Sequence, residues 1–314
     1  MIQVAPQAQI ELAHSAAYLA VSGEGHIVAI SRSGSGTFFA PNLTSPRRFS
    51  VPASIHFAEL SQDGGELAVT ASNGITVYST ATFEQTGYLN DAFDSCLFAS
   101  PDLFWTCAQF GKTTKVVDAR DAKTKTRIAH AKVADPFAEG TFILYQRPSP
   151  NSAVILAGAG QDGQRVCWAT LSGDRIQMKR FEELHFASRP AFSPDSREFL
   201  ITDEGRVARY SYPDGPLLGE MDELAGDSAG YSDCVYFDKQ HALATSAEGR
   251  LFLINAEEMK VVDDISILGF EERPMSPFQG FLGLLGITFL SIRGDQWEMG
   301  NNWVHLAVWS VPPV

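Results

Sequence analysis

The chain has 314 residues, with 24 Lys and Arg against 37 Asp and Glu, a net charge of −13, and 45% apolar against 19% charged residues. That apolar content excludes a disordered chain, and the length suffices for one large domain or two small ones with a substantial core. The acidic balance argues against a non-specific nucleic-acid binder, which needs cations opposite phosphates.

In chain order, residues Met1 to Leu12 carry Pro6 and Glu11 and lack a basic region followed by an apolar run, so they do not read as a secretory leader. The first clear strand group starts around Tyr18. Ser33-Gly34-Ser35-Gly36 reads as a flexible loop, because no Lys-Ser/Thr helix start follows to make it a phosphate cradle. Asn42-Leu43-Thr44 matches a glycosylation triplet, which means little without secretion.

A strand–turn–strand–turn–strand unit then recurs. Its first clear copy runs Ile55 to Leu60, turns at Ser61-Gln62-Asp63-Gly64-Gly65, continues Glu66 to Thr70, turns at Asn73-Gly74 and ends Ile75 to Tyr78. A second copy is Ala191-Phe192-Ser193-Pro194-Asp195, Glu198 to Thr202, Glu204-Gly205 and Arg206 to Tyr210. A third is Cys234 to Asp238, Ala242 to Thr245, Glu248-Gly249 and Arg250 to Ile254. Asp-Gly and Asn-Gly supply the positive φ of tight hairpin turns, and Val, Ile, Phe and Tyr fill the strands between. A third-strand signature recurs near Ile30, Tyr78, Val117, Trp168, Tyr210, Ile254 and Trp309, a mean step of about 46 residues.

These residues resemble WD40-type β-propeller blades, most clearly Phe192-Ser193-Pro194-Asp195 through Tyr210 and Leu60-Ser61-Gln62-Asp63-Gly64 through Tyr78. The Gly-His pair before the first strand is absent, and the closing Trp-Asp is reduced to Trp309-Ser310. The resemblance implies an all-β fold: one domain over residues 1–314, a seven-bladed propeller of four-stranded antiparallel blades. Val304 to Trp309 reads as the third strand of the last blade, and Gln7 to Leu12 is the candidate for its missing fourth. The ring is then closed by the N-terminal strand joining the last blade, which removes exposed edges.

Chemistry-bearing motifs are sparse. Gly158-Ala159-Gly160-Gln161-Asp162-Gly163 has the spacing of a dinucleotide loop, but Arg165 to Trp168 continues as strand rather than helix. The seven histidines (His14, His26, His56, His130, His185, His241, His305) show no zinc-ligand spacing. His56, on a first strand nearest a propeller axis, is the best single candidate for channel chemistry. Cys96, Cys107, Cys167 and Cys234 stand in strand contexts without Cys-x-x-Cys spacing and read as buried thiols of a reducing compartment. Phe278 to Ile292 is the longest apolar stretch, too interrupted for a membrane helix, and reads as buried strand. No catalytic residue, metal or cofactor is expected, and the localisation expected is cytoplasmic.

Charge is the informative feature. Between Phe181 and Glu272 there are 20 acids and 7 bases, while the rest of the chain has 17 of each. All the excess therefore lies in the fifth and sixth blades. In a propeller, the connections between blades and the second-to-third-strand turns share one face. Glu220, Asp222, Glu223, Asp227 and Asp233 fall in such a connection, and Asp203, Glu204 and Glu248 in such turns, with Tyr231 among them as an aromatic anchor. Lys112, Lys115, Arg120, Lys123, Lys125, Arg127 and Lys132 form an opposite, basic cluster, read as a solvated outer edge. The expected function is a non-enzymatic, monomeric protein-binding module that docks a basic protein partner on its acidic face. An inhibitor or immunity-type protein neutralising a toxin or nuclease domain is one concrete form. A generic assembly scaffold and a lactonase-type channel enzyme are the alternatives, and neither nucleic acid nor a membrane is an expected partner.

Overall fold

Short runs of β-branched and aromatic residues, cut by Ser, Asp and Gly, shape almost all of the computed structural model. It describes the chain apart from residues 111–113, 135–141, 146–148, 159–163, 182–189, 204, 214, 222–229, 237, 247–249, 269–283, 286–287, 295–302 and 311–314. The chain divides into two compact units, residues 16–184 and residues 1–15 with 185–314.

The N-terminal residues supply β1 (Ile2–Val4) and β2 (Ala8–Ala16). The 16–184 unit holds four antiparallel sheets of four strands each. They are β3 (Tyr18–Val21), β4 (Ile27–Ile30), β5 (Ser35–Ala40) and β6 (Thr44–Ser50); then β7 (Ile55–Leu60), β8 (Glu66–Ala71), β9 (Gly74–Ser79) and β10 (Gln85–Leu89). Next come β11 (Phe93–Ser100), β12 (Leu103–Phe110), β13 (Thr114–Asp121) and β14 (Arg127–Ala134), and finally β15 (Phe142–Tyr145), β16 (Ser152–Gly158), β17 (Gln164–Ser172) and β18 (Arg175–Phe181).

The other unit holds three sheets. The fifth is β19 (Ala191–Phe192), β20 (Glu198–Asp203), β21 (Arg206–Ser211) and β22 (Leu217–Met221). The sixth is β23 (Tyr231–Tyr236), β24 (His241–Ser246), β25 (Leu251–Asn255) and β26 (Lys260–Ile267). The last is β27 (Leu284–Leu285), β28 (Thr288–Gly294) and β29 (Trp303–Ser310), with β2 beside β29. The fourth strand of the last sheet thus comes from the N-terminus, where the Gln7 N–H donates to the Val308 carbonyl at 2.7 Å.

Two expectations change. Six sheets match the four-stranded unit rather than seven, because the sixth sheet has five strands, with β1 added parallel to β26. No turn joins β1 to its neighbour, so nothing in the local sequence marks it. Ile30 closes a second strand, not a third; the third strand of the first sheet is β5, whose start absorbs Ser35 and Gly36 from the expected loop. The other six signature residues lie on third strands. Gly158 and Gln164 are paired across β16 and β17, so the glycine-rich run links two antiparallel strands.

The core lies between sheets rather than within one. Ala20, Val28, Ile30 and Phe38 of the first sheet pack on Leu60, Leu67, Val69 and Tyr78 of the second. Equivalent clusters join the third sheet to the fourth and the fifth to the sixth. A sheet covered on both faces needs apolar side chains on both, which is why Ile27 to Ile30 is buried at every position. All four cysteines are buried and none forms a disulfide. Burial raises the thiols of Cys96 and Cys107 above their ordinary range, which keeps them protonated and unreactive.

Two turn types repeat with the sheets. Between first and second strands, the Ser61 hydroxyl donates to Asp63 Oδ1 at 2.7 Å and accepts from the Glu66 N–H at 2.8 Å. Ser193, Asp195 and Glu198 repeat this at 2.9 and 3.2 Å. Ser61 holds the Asp63 carboxyl below its ordinary range, as Ser193 does for Asp195. The fourth turn position has positive φ, +70° at Gly64 but +55° at Ser196. A side chain in that region costs about 1–2 kcal/mol, partly offset by the extra unfolded-state entropy of glycine. Ser196→Gly should therefore raise stability by about 0.5–1 kcal/mol, readable as a higher urea midpoint at unchanged m.

The second turn type joins third to fourth strands and was not visible in the sequence. The Phe83 N–H donates to Ser79 O, Lys125 to Asp121 O and Gly215 to Ser211 O, at 2.7, 2.8 and 3.0 Å. Thr80, Ala122, Tyr212 and Ala256 each donate back to the first turn of their own sheet, at 2.9, 3.0, 2.7 and 2.7 Å. The residue that closes the turn has positive φ: Phe83 +57°, Lys125 +60°, Gly215 +86° and Met259 +50°. Three of these four positions carry a long side chain that reaches the preceding sheet. Phe83 stacks on Phe49 at 4.5 Å, Lys125 donates to Glu66 at 2.9 Å, and Met259 meets Gly219.

Candidate functional site

The acid-rich stretch builds around the β20–β21 turn. Asp203, the last residue of β20, is in register with Arg206, the first of β21. The connection from β22 to β23 ends against this turn: the Tyr231 N–H donates to the Gly205 carbonyl at 2.7 Å. The approach is close enough that a Cβ on Gly230 would lie 2.6 Å from the Gly205 Cα, and Gly230 has a φ of +70°. The described end of an inter-sheet connection, Gly230 and Tyr231, therefore meets a second-to-third-strand turn here.

The expected site residues divide into three groups. Glu204, Asp222, Glu223, Asp227 and Glu248 lie outside the described residues, as does the side chain of Asp203. Glu220 is exposed, but it stands on β22 rather than in the connection, and it pairs with Arg206 at 3.3 Å. Tyr231 and Asp233 are corrected. Tyr231 is buried in the core between the fifth and sixth sheets, its ring edge-on to Phe252 at 5.8 Å and its hydroxyl 3.5 Å from Met221 Sδ. Burial pushes its phenol up to about 12, so it is a packing residue rather than a surface anchor. Asp233 is also buried, and its Oδ1 accepts the Cys234 N–H at 2.9 Å. A bulge between Tyr231 and Asp233 shifts the strand register at this point.

The basic cluster is a solvated edge only in part. Lys115 is buried and pairs with Asp94 at 2.6 Å. Arg120 donates to Asp118 at 2.5 Å, and its Nε to Thr106 at 3.2 Å. Lys125 is buried and donates to Glu66 at 2.9 Å and to the Ala122 carbonyl, with its ammonium 4.9 and 5.2 Å from the Phe98 and Phe104 ring centres. Lys123, Arg127 and Lys132 are exposed, and Lys112 lies outside the described residues. Three of the six described bases are thus compensated inside the structure, and the other three are solvated.

His56 Nε2 donates to the Phe93 carbonyl at 2.9 Å and so ties the first strands of the second and third sheets. Among the described residues no group of three His, Cys, Asp or Glu could hold a metal, and no helix is long and apolar enough to cross a membrane.

No family model and no curated protein sequence matches the chain. Solved structures do. A chain of a mitotic checkpoint complex aligns with TM-score 0.69 at 10% identity over 99% of this chain and 93% of its own. U3-55K aligns with TM-score 0.67 at 12% identity over 98% and 100%. The β-propeller domain of Myceliophteria thermophila Cps50 (Swd1) gives 0.65 at 10% over 98% and 100%. With the four-stranded antiparallel sheets above, these alignments give the chain the fold of a WD40-type β-propeller.

Proposed function

We propose that this chain is a non-enzymatic, monomeric cytoplasmic propeller that binds a basic protein on the acidic loops of its fifth and sixth sheets. In this reading the five-stranded sheet is a blade with an accessory strand, and residues 1–314 form one closed seven-bladed ring. The observation that carries it is the confinement of the whole charge excess to residues 181–272, together with the approach of Gly230, at the end of the β22–β23 connection, to Gly205 in the β20–β21 turn. The surface is the set Asp203, Glu204, Glu220, Asp222, Glu223, Asp227 and Glu248. Tyr231 and Asp233 support it from the core. Arg206 offsets part of the charge at Glu220, so the connection 222–227 carries the recognition. Carboxylates spaced along a chain mimic a phosphate backbone, which suits an inhibitor of a nucleic-acid-binding or toxin domain, and a generic scaffold would use the same surface. A lactonase-type reading would rest on His56, whose Nε2 is engaged by Phe93.

Reversing Asp222, Glu223 and Asp227 to Lys should weaken binding of the partner that co-purifies from the native host at least tenfold, about 1.4 kcal/mol. The effect should also flatten the salt dependence of affinity. Unchanged affinity and salt slope would remove the acidic face from the reading.

A further inference from the structure

A second surface follows from how β1 sits. β26 is the outer strand of its sheet's hairpin order, and β1 covers only part of it. Ile2, Gln3 and Val4 pair in parallel with Ile265, Ser266 and Ile267, and the Leu268 N–H donates to the Val4 carbonyl at 2.9 Å. Val4 is buried against Ile265, Ile267, Leu253 and Trp309. The Met1 nitrogen lies 2.6 Å from Asp263 with Met1 exposed and Asp263 partly exposed, a contact of the kind that adds little. One buried side chain and three paired residues are a weak hold.

The rest of β26 has no strand on its outer side among the described residues. There it exposes Val261 and Val262, at 39% and 48%, and Leu268 follows its end at 43%. Exposed apolar side chains on an unpaired edge are what proteins ordinarily avoid, since the free N–H and C=O row templates another strand. The β1 contact shows that this edge accepts a parallel strand, and the uncovered part continues directly from it.

We infer that the outer edge of β26 is a strand-acceptor site, occupied in cis by β1 and taken in trans by an extended segment of a protein partner that pairs in parallel along all of β26. Such a segment places apolar residues where Ile2 and Val4 lie, and a Lys or Arg beside Asp263. It covers Val261 and Val262, which β1 leaves bare, and β1 opposes it as a tethered competitor. This surface is separate from the acidic loops and does not depend on them.

The probe is a fluorescein-labelled peptide, Val-Val-Lys-Val followed by the sequence of residues 2–5, whose Lys falls opposite Asp263 in the β1 register, titrated against the full chain by anisotropy. Val4→Glu, which releases β1, should tighten binding at least tenfold. Leu268→Pro removes the N–H donated to the strand and should abolish binding while leaving circular dichroism unchanged. A lock on the wild-type fold comes from Gln3→Cys with Ser266→Cys, at paired positions. Its oxidised form should exclude the peptide, and reduction should restore binding. Failure of the reduced lock chain to bind saturably, or equal binding in both forms, would overturn the site whether or not Val4→Glu folds. A concentration-dependent dimer of the wild-type chain, lost in the oxidised lock, would assign the edge to a second copy and overturn the partner reading.

Discussion

Lys125→Ala should lower the stability of the 16–184 unit by about 2–3 kcal/mol, just below the range for breaking a fully buried ion pair. Lys125 has a side chain only 8% exposed, while Glu66 is 35% exposed. Water can therefore take up the abandoned carboxylate, which keeps the loss below that of a fully buried pair. What water cannot replace is the bond to the Ala122 carbonyl and the ammonium against two aromatic faces. Lys125→Met should cost clearly less than Lys125→Ala, because Met259 fills the same turn position in the sixth sheet with similar burial. Urea unfolding of the three chains decides this. Equal midpoints for wild type and Lys125→Ala would show that the lysine does not hold the second sheet to the third.

That same turn explains where sequence reading succeeded and failed. The units at 55–78, 191–210 and 234–254 were legible because their punctuation is chemical: Ser-x-Asp, Asn-Gly and Glu-Gly between β-branched runs. The third-to-fourth turns share a backbone shape and a hydrogen-bond pattern, but Phe83, Lys125, Gly215 and Met259 share no chemistry. The side chains of Phe83, Lys125 and Met259 answer to the neighbouring sheet instead. The lysines misled for the same reason. Lys115 and Lys125 look like a solvated run along the sequence, yet their partners lie 21 and 59 residues away. Pairing of β11 and β13 through β12 within one sheet brings Asp94 to Lys115, and packing of the second sheet on the third brings Glu66 to Lys125. Tyr231 was misread by one strand boundary: placed in a loop it is an anchor, whereas as the first residue of β23 it faces the core.

The largest single effect on the acidic region should come from Gly230→Ala. Two costs add at this position. The left-handed φ of +70° costs any L side chain about 1–2 kcal/mol. The new methyl would also meet the Gly205 backbone at 2.6 Å, and neither neighbour is a side chain that can rotate away. Gly173→Ala isolates the first cost, because Gly173 has a φ of +63° and nothing within 4 Å of its Cβ position. The expected losses are about 1 kcal/mol at Gly173 and about 3 kcal/mol or more at Gly230, read from chemical denaturation of the full chain. The two variants also separate folding from recognition. If the Gly205–Gly230 contact sets the acid-bearing connection in place, Gly230→Ala should weaken partner binding at temperatures where the chain is still folded, and Gly173→Ala should not. Equal losses in stability would mean that the backbone parts easily at Gly205, and the approach would then not position the acidic loops.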